Sequence, residues 1–559
     1  MGRYLREHTN PPVFITSAIV VIAFVLWGVL SPDGVSAATA AVTGWITTYF
    51  GWLYILSASV FVVFCLFLLF SRYGRVRLGP DDSRPEFGTL AWFSMLFTAG
   101  MGIGLVFYSV SEPVTHFTSP PTGEGGTQAA AESSMLYTIF HWGVHPWAIY
   151  IVLGLALGYF AFRRGLPLRP ASALYPLLGN RIYGPIGYAV DILAVFGTLF
   201  GLATSLGQGA LQVGAGAESV FGVANTATLQ IGLIIGITAI AIVSLMAGID
   251  KGIRRLALIN MYLAGGLMLL VFLVGAPLLA LNSIPQNLGI YLQNLPTQSF
   301  ETFTGSASGQ EWLSGWTLFY WGWWISWSPF VGMFLARISY GRTIRSFIAG
   351  ALFAPTLVAV VWFSIFGSTA LNILQGNPNN PLAEAGVETG LYVLMEQVGF
   401  GGIAYALMVL LAMLVVTLFF ATSSDSGSLV VDILTNGGDP NPIWQQRVFW
   451  AIVEGFIAIV LLAAGAAGGA ADEAILALQA ASIIAGLPFA IVLILMAIGV
   501  AKGLSEERLP SSTPEPGPDT LPPDPGRTVT RQGPASPATQ QVSQQMSAEN
   551  QERYRNRNG

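Results

Sequence analysis

Residues 316–330 read Trp316-Thr-Leu-Phe-Tyr-Trp321-Gly-Trp323-Trp324-Ile-Ser-Trp327-Ser-Pro-Phe330, with no charged side chain among them. In lipid, tryptophan commonly marks the interface with water, and such a belt needs one or two rings at one depth. Here Trp321 to Trp327 climb roughly 9 Å of helix at 1.5 Å per residue. Trp321, Trp324 and Trp327 recur every third residue and lie on adjacent faces of one helix. Several π faces along one helix suit a cation that has no N–H to donate, such as a quaternary ammonium.

The rest of the chain shares this solvent. Its 559 residues are 53% hydrophobic and 9% charged, where a soluble domain carries about 25% charged residues. That leaves too little charge for a surface in water, and the bilayer is the alternative. A single cysteine, Cys65, excludes a disulfide framework, and four histidines are few for a zinc cage. The net charge of −5 comes without a basic block, so nucleic acid finds no footprint. No cleavable signal peptide is visible ahead of the first apolar run, 13–30. With no G-x-S-x-G, Walker A or H-E-x-x-H motif, the expectation is not an enzyme.

At about 20 apolar residues per crossing, the sequence divides into about twelve spans. They lie near 13–31, 51–71, 88–113, 135–162, 186–217, 228–249, 256–281, 312–337, 346–373, 399–434, 444–467 and 474–502. Under this division all 24 Lys and Arg fall on one side. The opposite loops hold Asp33, Glu124, Glu218, Glu301, Glu311, Glu384 and Glu388. The positive-inside rule then puts both termini in the cytoplasm of a multi-pass protein of the inner (plasma) membrane. Residues 1–12 form a cytoplasmic N-terminus and 13–503 the transmembrane unit. The segment 282–300, with Pro285 and Pro296, reads as an interfacial helix. The tail, 504–559, is rich in Pro, Ser and Gln and reads as disordered.

Three further stretches stand out. His141-Trp142-Gly-Val-His145-Pro146-Trp147-Ala-Ile-Tyr150 puts Trp147 and Tyr150 one turn apart, with Trp142 below a kink expected at Pro146. His141 and His145 have metal-ligand spacing, but with no further ligand nearby they read as packing or hydrogen-bonding residues. Thr98-Ala-Gly100-Met101-Gly102-Ile103-Gly104 reads either as a small-residue helix contact or as an unwound turn. Unwound backbone at membrane depth is tolerated where it lines a cavity, and its carbonyls can hold Na⁺. Phe419-Phe-Ala-Thr422-Ser423-Ser424-Asp425-Ser426-Gly-Ser428 offers hard oxygen ligands to an alkali cation. Asp425 is either a functional intramembrane carboxylate or a local cap. Glu112 reads as a helix-end residue and Glu454 as neutral or paired.

Together these stretches resemble the betaine/choline/carnitine transporter family, over about 13–503. The run Trp316–Arg342 is similar to that family's signature, and Ala99–Gly104 with Ser111-Glu112-Pro113 looks like its glycine stretch. The resemblance implies an all-α LeuT-like fold. Two peripheral helices would precede two inverted repeats of five helices, about 88–281 and 312–502. It implies an aromatic box of Trp142, Trp147, Tyr150 and Trp324, with Trp323 and Trp327 along the route. Gly100, Met101, Gly102 and Gly104 would also line the substrate site. A sodium site would use Thr98, Met101, Phe419, Thr422 and Ser423, and a second Thr198 and Phe330. Leu202 stands where sodium-coupled members offer another hydroxyl, which leaves the second set incomplete. Gly104 lacks the carboxylate that choline carriers tend to place there, which favours a zwitterion such as glycine betaine. The implied mechanism is Na⁺ symport by alternating access, with no cofactor, in a homotrimer. A sodium-independent or proton-coupled carrier of choline or carnitine, and a channel or sensor, are the alternatives.

Overall fold

Proline marks where several helices begin. Pro11, Pro32, Pro185 and Pro277 stand in the first turn of four helices, where a missing N–H costs nothing. The computed structural model describes residues 9–100, 102–247, 254–440, 443–466 and 471–507. Among them the regular structure is helical, apart from one isolated antiparallel bridge between Arg77 and Thr343.

The order is α1 (Pro11–Leu30), α2 (Pro32–Phe70), α3 (Thr89–Gly100), α4 (Ile103–Phe107), α5 (Ser111–Thr118), α6 (Gln128–Trp142) and α7 (Val144–Leu157). There follow α8 (Pro185–Phe221), α9 (Ala227–Ala247), α10 (Arg254–Val274), α11 (Pro277–Gln298), α12 (Ala307–Gly315) and α13 (Thr317–Ile338). The chain continues with α14 (Ile344–Gly376), α15 (Gly390–Gln397), α16 (Gly402–Thr435), α17 (Trp444–Ala466) and α18 (Ala471–Ser505).

The tryptophan run is α13, buried from Thr317 to Met333. It packs against α7, α18 and α8, and α8 packs in turn against α16. Leu30, Tyr262 and Ile403 are among the large apolar side chains exposed on the outer helices, as suits a surface bathed in acyl chains.

Nine helices among the described residues, with Gln128–Arg163 taken as one, are long and apolar enough to cross a membrane, and a bent pair, Leu258–Val274 with Pro277–Gln298, would make ten. The expectation of about twelve differs for a physical reason. The stretch 88–113 is split into α3, α4 and α5, each too short by itself. The run α13 is a full 22-residue helix, but Trp, Ser and Gly dilute its apolarity. The seventh expected span also ends early. It turns through 113° near 275, not 281, because Pro277 opens a new helix there.

The loops that carry the basic residues meet one another. The Arg77 Nη1 donates to the Gly341 carbonyl at 2.9 Å, and Arg345 Nε to the Leu69 carbonyl at 2.8 Å. Arg163 bridges Asp81 at 2.8 Å and Glu507 at 2.6 Å. Gln128 and Gln375, from stretches without basic residues, pair at 2.9 Å. Of the termini, residues 1–8 and 508–559 lie outside the described residues, and with them nearly all of the tail expected to be disordered.

Candidate functional site

Two helix breaks build the site. α3 ends at Gly100 and α4 begins at Ile103, with Gly102 at φ −70°, ψ −144°. The alternating glycines therefore do unwind the helix. The second break lies at Gly143, φ −90°, ψ −136°, between α6 and α7. The kink expected at Pro146 is thus three residues earlier. Pro146 falls in the first turn of α7, where its lack of an N–H is harmless. Tyr291 of α11 fills this break, its hydroxyl accepting the Val144 N–H at 3.0 Å.

Each glycine of the first break faces an indole. A Cβ built on Gly100 would overlap the six-membered ring of Trp147. One on Gly102 would lie 3.0 Å from Trp327 Cη2, and one on Gly104 2.5 Å from Trp323 Cη2 and 2.6 Å from Trp142 Cη2. The glycines are the floor on which the tryptophans rest.

The expected box comes together around Trp324. Trp142 meets it edge-on with centroids 5.0 Å apart, and Tyr150 does so at 6.3 Å. Trp147 reaches Tyr150 at 5.7 Å. Trp323 stacks on Trp324 at 4.6 Å, and Trp327 lies 6.1 and 6.3 Å from these two rings. The Trp324 Nε1 donates to the His141 carbonyl at 3.0 Å. The Tyr150 hydroxyl and the indole N–H groups of Trp323 and Trp327 are buried without a protein partner. Trp321 turns away and stacks on His145 at 5.2 Å.

The hydroxyl run approaches the same break. Ser423 Oγ lies 3.7 Å from a Cβ built on Gly102. The Thr422 hydroxyl donates back to the Leu418 and Phe419 carbonyls, both at 2.9 Å. Met101 and the Thr98 side chain lie outside the described residues. Asn260 of α10, with its amide oriented by its neighbours, donates to the Val415 carbonyl at 3.2 Å and accepts from the Phe419 N–H at 3.0 Å. It is thereby spliced into α16 one turn ahead of Thr422. In the second set, the Thr198 hydroxyl donates to the Ala194 carbonyl at 2.8 Å, and Phe330 packs on Trp327 at 5.7 Å.

Asp425 and Glu454 both find partners. Asp425 pairs with Arg447 at 3.0 Å and accepts from Ser244 at 2.9 Å. It thus joins three helices and does not cap its own. Glu454 accepts from Ser424 at 3.1 Å.

Glu112 is the residue that sequence reasoning passed over. Fully buried, it accepts from Trp142 Nε1 at 2.8 Å and from the Tyr320 hydroxyl. Its other oxygen faces His141 Nδ1 at 2.7 Å and His116 Nε2 at 3.3 Å. The three potential ligand atoms of Glu112, His116 and His141 lie within 4.8 Å, but the second carboxylate oxygen is already committed to Trp142 and Tyr320. A usable signal was present. A Glu at membrane depth with no Lys or Arg in its own span is a functional candidate by default.

A family model described as BCCT, betaine/carnitine/choline family transporter, matches residues 12–509. The glycine betaine transporter OpuD of Bacillus subtilis is 43% identical over 505 residues, which are 90% of this chain and 96% of that protein. The glycine betaine transporter of Acinetobacter baylyi is 43% identical over 498 residues, 89% of this chain and 73% of its own. The osmo-dependent choline transporter BetT2 of the same organism is 41% identical over 509 residues, 90% and 72% of the two chains.

Proposed function

This chain belongs to the betaine/carnitine/choline transporter family, and from that premise we propose that it imports glycine betaine or a closely related zwitterionic solute by Na⁺ symport. The observation that carries the reading is the meeting of Trp142, Tyr150 and Trp324 beside the helix break at Gly100–Ile103. A trimethylammonium group offers no hydrogen bond, so π faces are its natural ligand. The carboxylate of a zwitterion needs donors. The indole N–H groups of Trp323 and Trp327 and the Tyr150 hydroxyl are buried donors without a protein acceptor, and a buried donor left unmade is costly. The zwitterion complements both halves. Choline brings only the cation, and its hydroxyl satisfies fewer of these groups.

The Na⁺ reading is supported by Ser423 of α16, whose hydroxyl approaches the unwound backbone at Gly102, with Thr422 next to it in the chain. Oxygen ligands of this kind suit an alkali cation. Thr198 and Phe330 with Leu202 make a poor second set, so one Na⁺ per solute is the stoichiometry we favour. Inward and outward states would differ in how α13 and α8 close over the box, within two inverted repeats of five helices. A trimer is the assembly proposed, to be checked by light scattering in detergent.

The test is uptake of radiolabelled betaine into proteoliposomes with and without a Na⁺ gradient. Accumulation above equilibrium that requires the gradient supports the reading. Gradient-independent counterflow would turn the protein into an exchanger, and flux that stops at equilibrium would make it a channel.

A further inference from the structure

Glu112 receives four potential donors and, among the described residues, forms no ion pair with a Lys or Arg. Trp142 Nε1 and the Tyr320 hydroxyl approach Oε2, and His141 Nδ1 and His116 Nε2 approach Oε1. His141 Nε2 sits 2.9 Å from the Thr317 hydroxyl. A tautomer with its proton on Nδ1 fits both contacts, donating to Glu112 and accepting from Thr317. Trp142 Nε1 can only donate, and with the proton of His141 on Nδ1 and that of His116 on Nε2 all four contacts suit an ionised carboxylate.

One partner of Glu112, Trp142, is a wall of the box, and two others, Tyr320 and His141, hold Trp324. Trp142 meets Trp324 edge-on at 5.0 Å. Tyr320 stacks beneath Trp324 at 5.7 Å and on His141 at 4.6 Å. The His141 carbonyl holds the Trp324 N–H at 3.0 Å. One carboxylate therefore fixes Trp142 and Tyr320 directly and steadies the segment that orients Trp324. It also leaves a negative charge one indole away from the face that would meet a cation. An N–H···O⁻ bond pushes electron density onto the indole, and the low dielectric around a buried site keeps the charge from being screened.

We propose that Glu112 is a specificity-determining positioning residue. Its buried carboxylate holds Trp142 and Tyr320 in register, and its charge makes the aromatic box prefer a cationic head group over a neutral one of the same shape. This rests on the aromatic box being the solute site. A unit charge within about 10 Å at an effective dielectric constant near 20 corresponds to a preference on the order of tenfold.

The experiment uses the full chain in proteoliposomes and two competitors of labelled uptake. One is glycine betaine, and the other is 3,3-dimethylbutanoate, in which carbon replaces the quaternary nitrogen. Glu112→Gln is expected to reduce the preference for betaine over this isostere on the order of tenfold, raising KM more than it lowers kcat. Glu112→Asp, which keeps the charge but shortens its reach, is expected to weaken transport while preserving the preference. If Glu112→Gln does not fold, Trp142→Phe keeps a π face without the N–H bond and is expected to lose part of the same preference. A preference unchanged in Glu112→Gln, or in Trp142→Phe where Glu112→Gln does not fold, overturns the proposal whatever happens to the absolute affinity. A Trp324→Leu variant with unchanged KM overturns the box itself, which separates the two failures.

Discussion

Leu202 of α8 lies so close to Gly427 of α16 that a Cβ at position 427 would overlap its side chain. An apolar side chain thus occupies the seam between the two helices, at the position where the family resemblance implies an oxygen for a second cation. Thr198, one turn before it, spends its hydroxyl on its own helix. The initial rate of uptake is therefore expected to rise hyperbolically with Na⁺, with a Hill coefficient near 1. A coefficient approaching 2 in proteoliposome uptake would count against the single-site reading.

Gly104 faces Trp323 and Trp142 together, at distances no real Cβ tolerates. Gly104→Ala must displace both rings, and overpacking of this kind costs about 1–3 kcal/mol. The KM for betaine is expected to rise tenfold or more, with folding retained as judged by gel filtration. Gly44, which has nothing within 4 Å of a built Cβ, is the control position, where alanine is expected to change nothing.

Trp324 is the ring that Trp142, Tyr150 and Trp323 share. A desolvated cation–π contact is worth about 2 kcal/mol or more. Trp324→Leu is then expected to raise KM by about 30-fold. Trp321→Leu, whose ring stacks on His145 away from the box, is expected to lower the amount of folded protein with little change in KM.

Just beyond α18, Glu507 accepts from Arg163 Nη2 at 2.6 Å and from the Tyr159 hydroxyl at 2.7 Å. Burial acts to raise this carboxyl, but the hydrogen bonds from Arg163 and Tyr159 and the charges of Arg163 and Arg164 outweigh it and hold the group below its ordinary value of 4.5. A carboxyl lowered by folding stabilises the folded state above its unfolded value, and that contribution fades as pH falls through the folded one. The contact is complete at neutral pH and loosens only below about 4.5. A spin label at position 506 is expected to keep its mobility between about pH 8 and about pH 5, and to gain it in more acid solution. Glu507→Gln should show the acid behaviour at neutral pH.

That the chain is a bundle of apolar, membrane-length helices was readable because apolar length is a one-dimensional signal. Proline at 11, 32, 185 and 277 even marks helix starts. What escaped depends on pairing across helices. Trp142, Tyr150 and Trp324 were identified through a family likeness, since spacing alone does not say which faces meet. Glu112 looked like the end of a helix because its four partners come from three stretches, up to 208 residues away in sequence. Asn260 gave no signal, as nothing in a lone Asn reveals that it splices into α16. For Asp425 a functional carboxylate and a local cap both stayed open, because Arg447 comes to it from the next helix. The break at Gly143 was misplaced because Pro146 is the louder residue.

The facing of Gly100, Gly102 and Gly104 to four indoles restricts how such a protein can change over time. A side chain gained on the glycine side has no room unless a ring on the other side shrinks or swings away. New solute preferences should therefore arise through paired replacements, one at a glycine and one at its opposing tryptophan. A lineage that altered only one partner would pass through a form that transports poorly. The floor of the box acts as a ratchet on the history of its ligand.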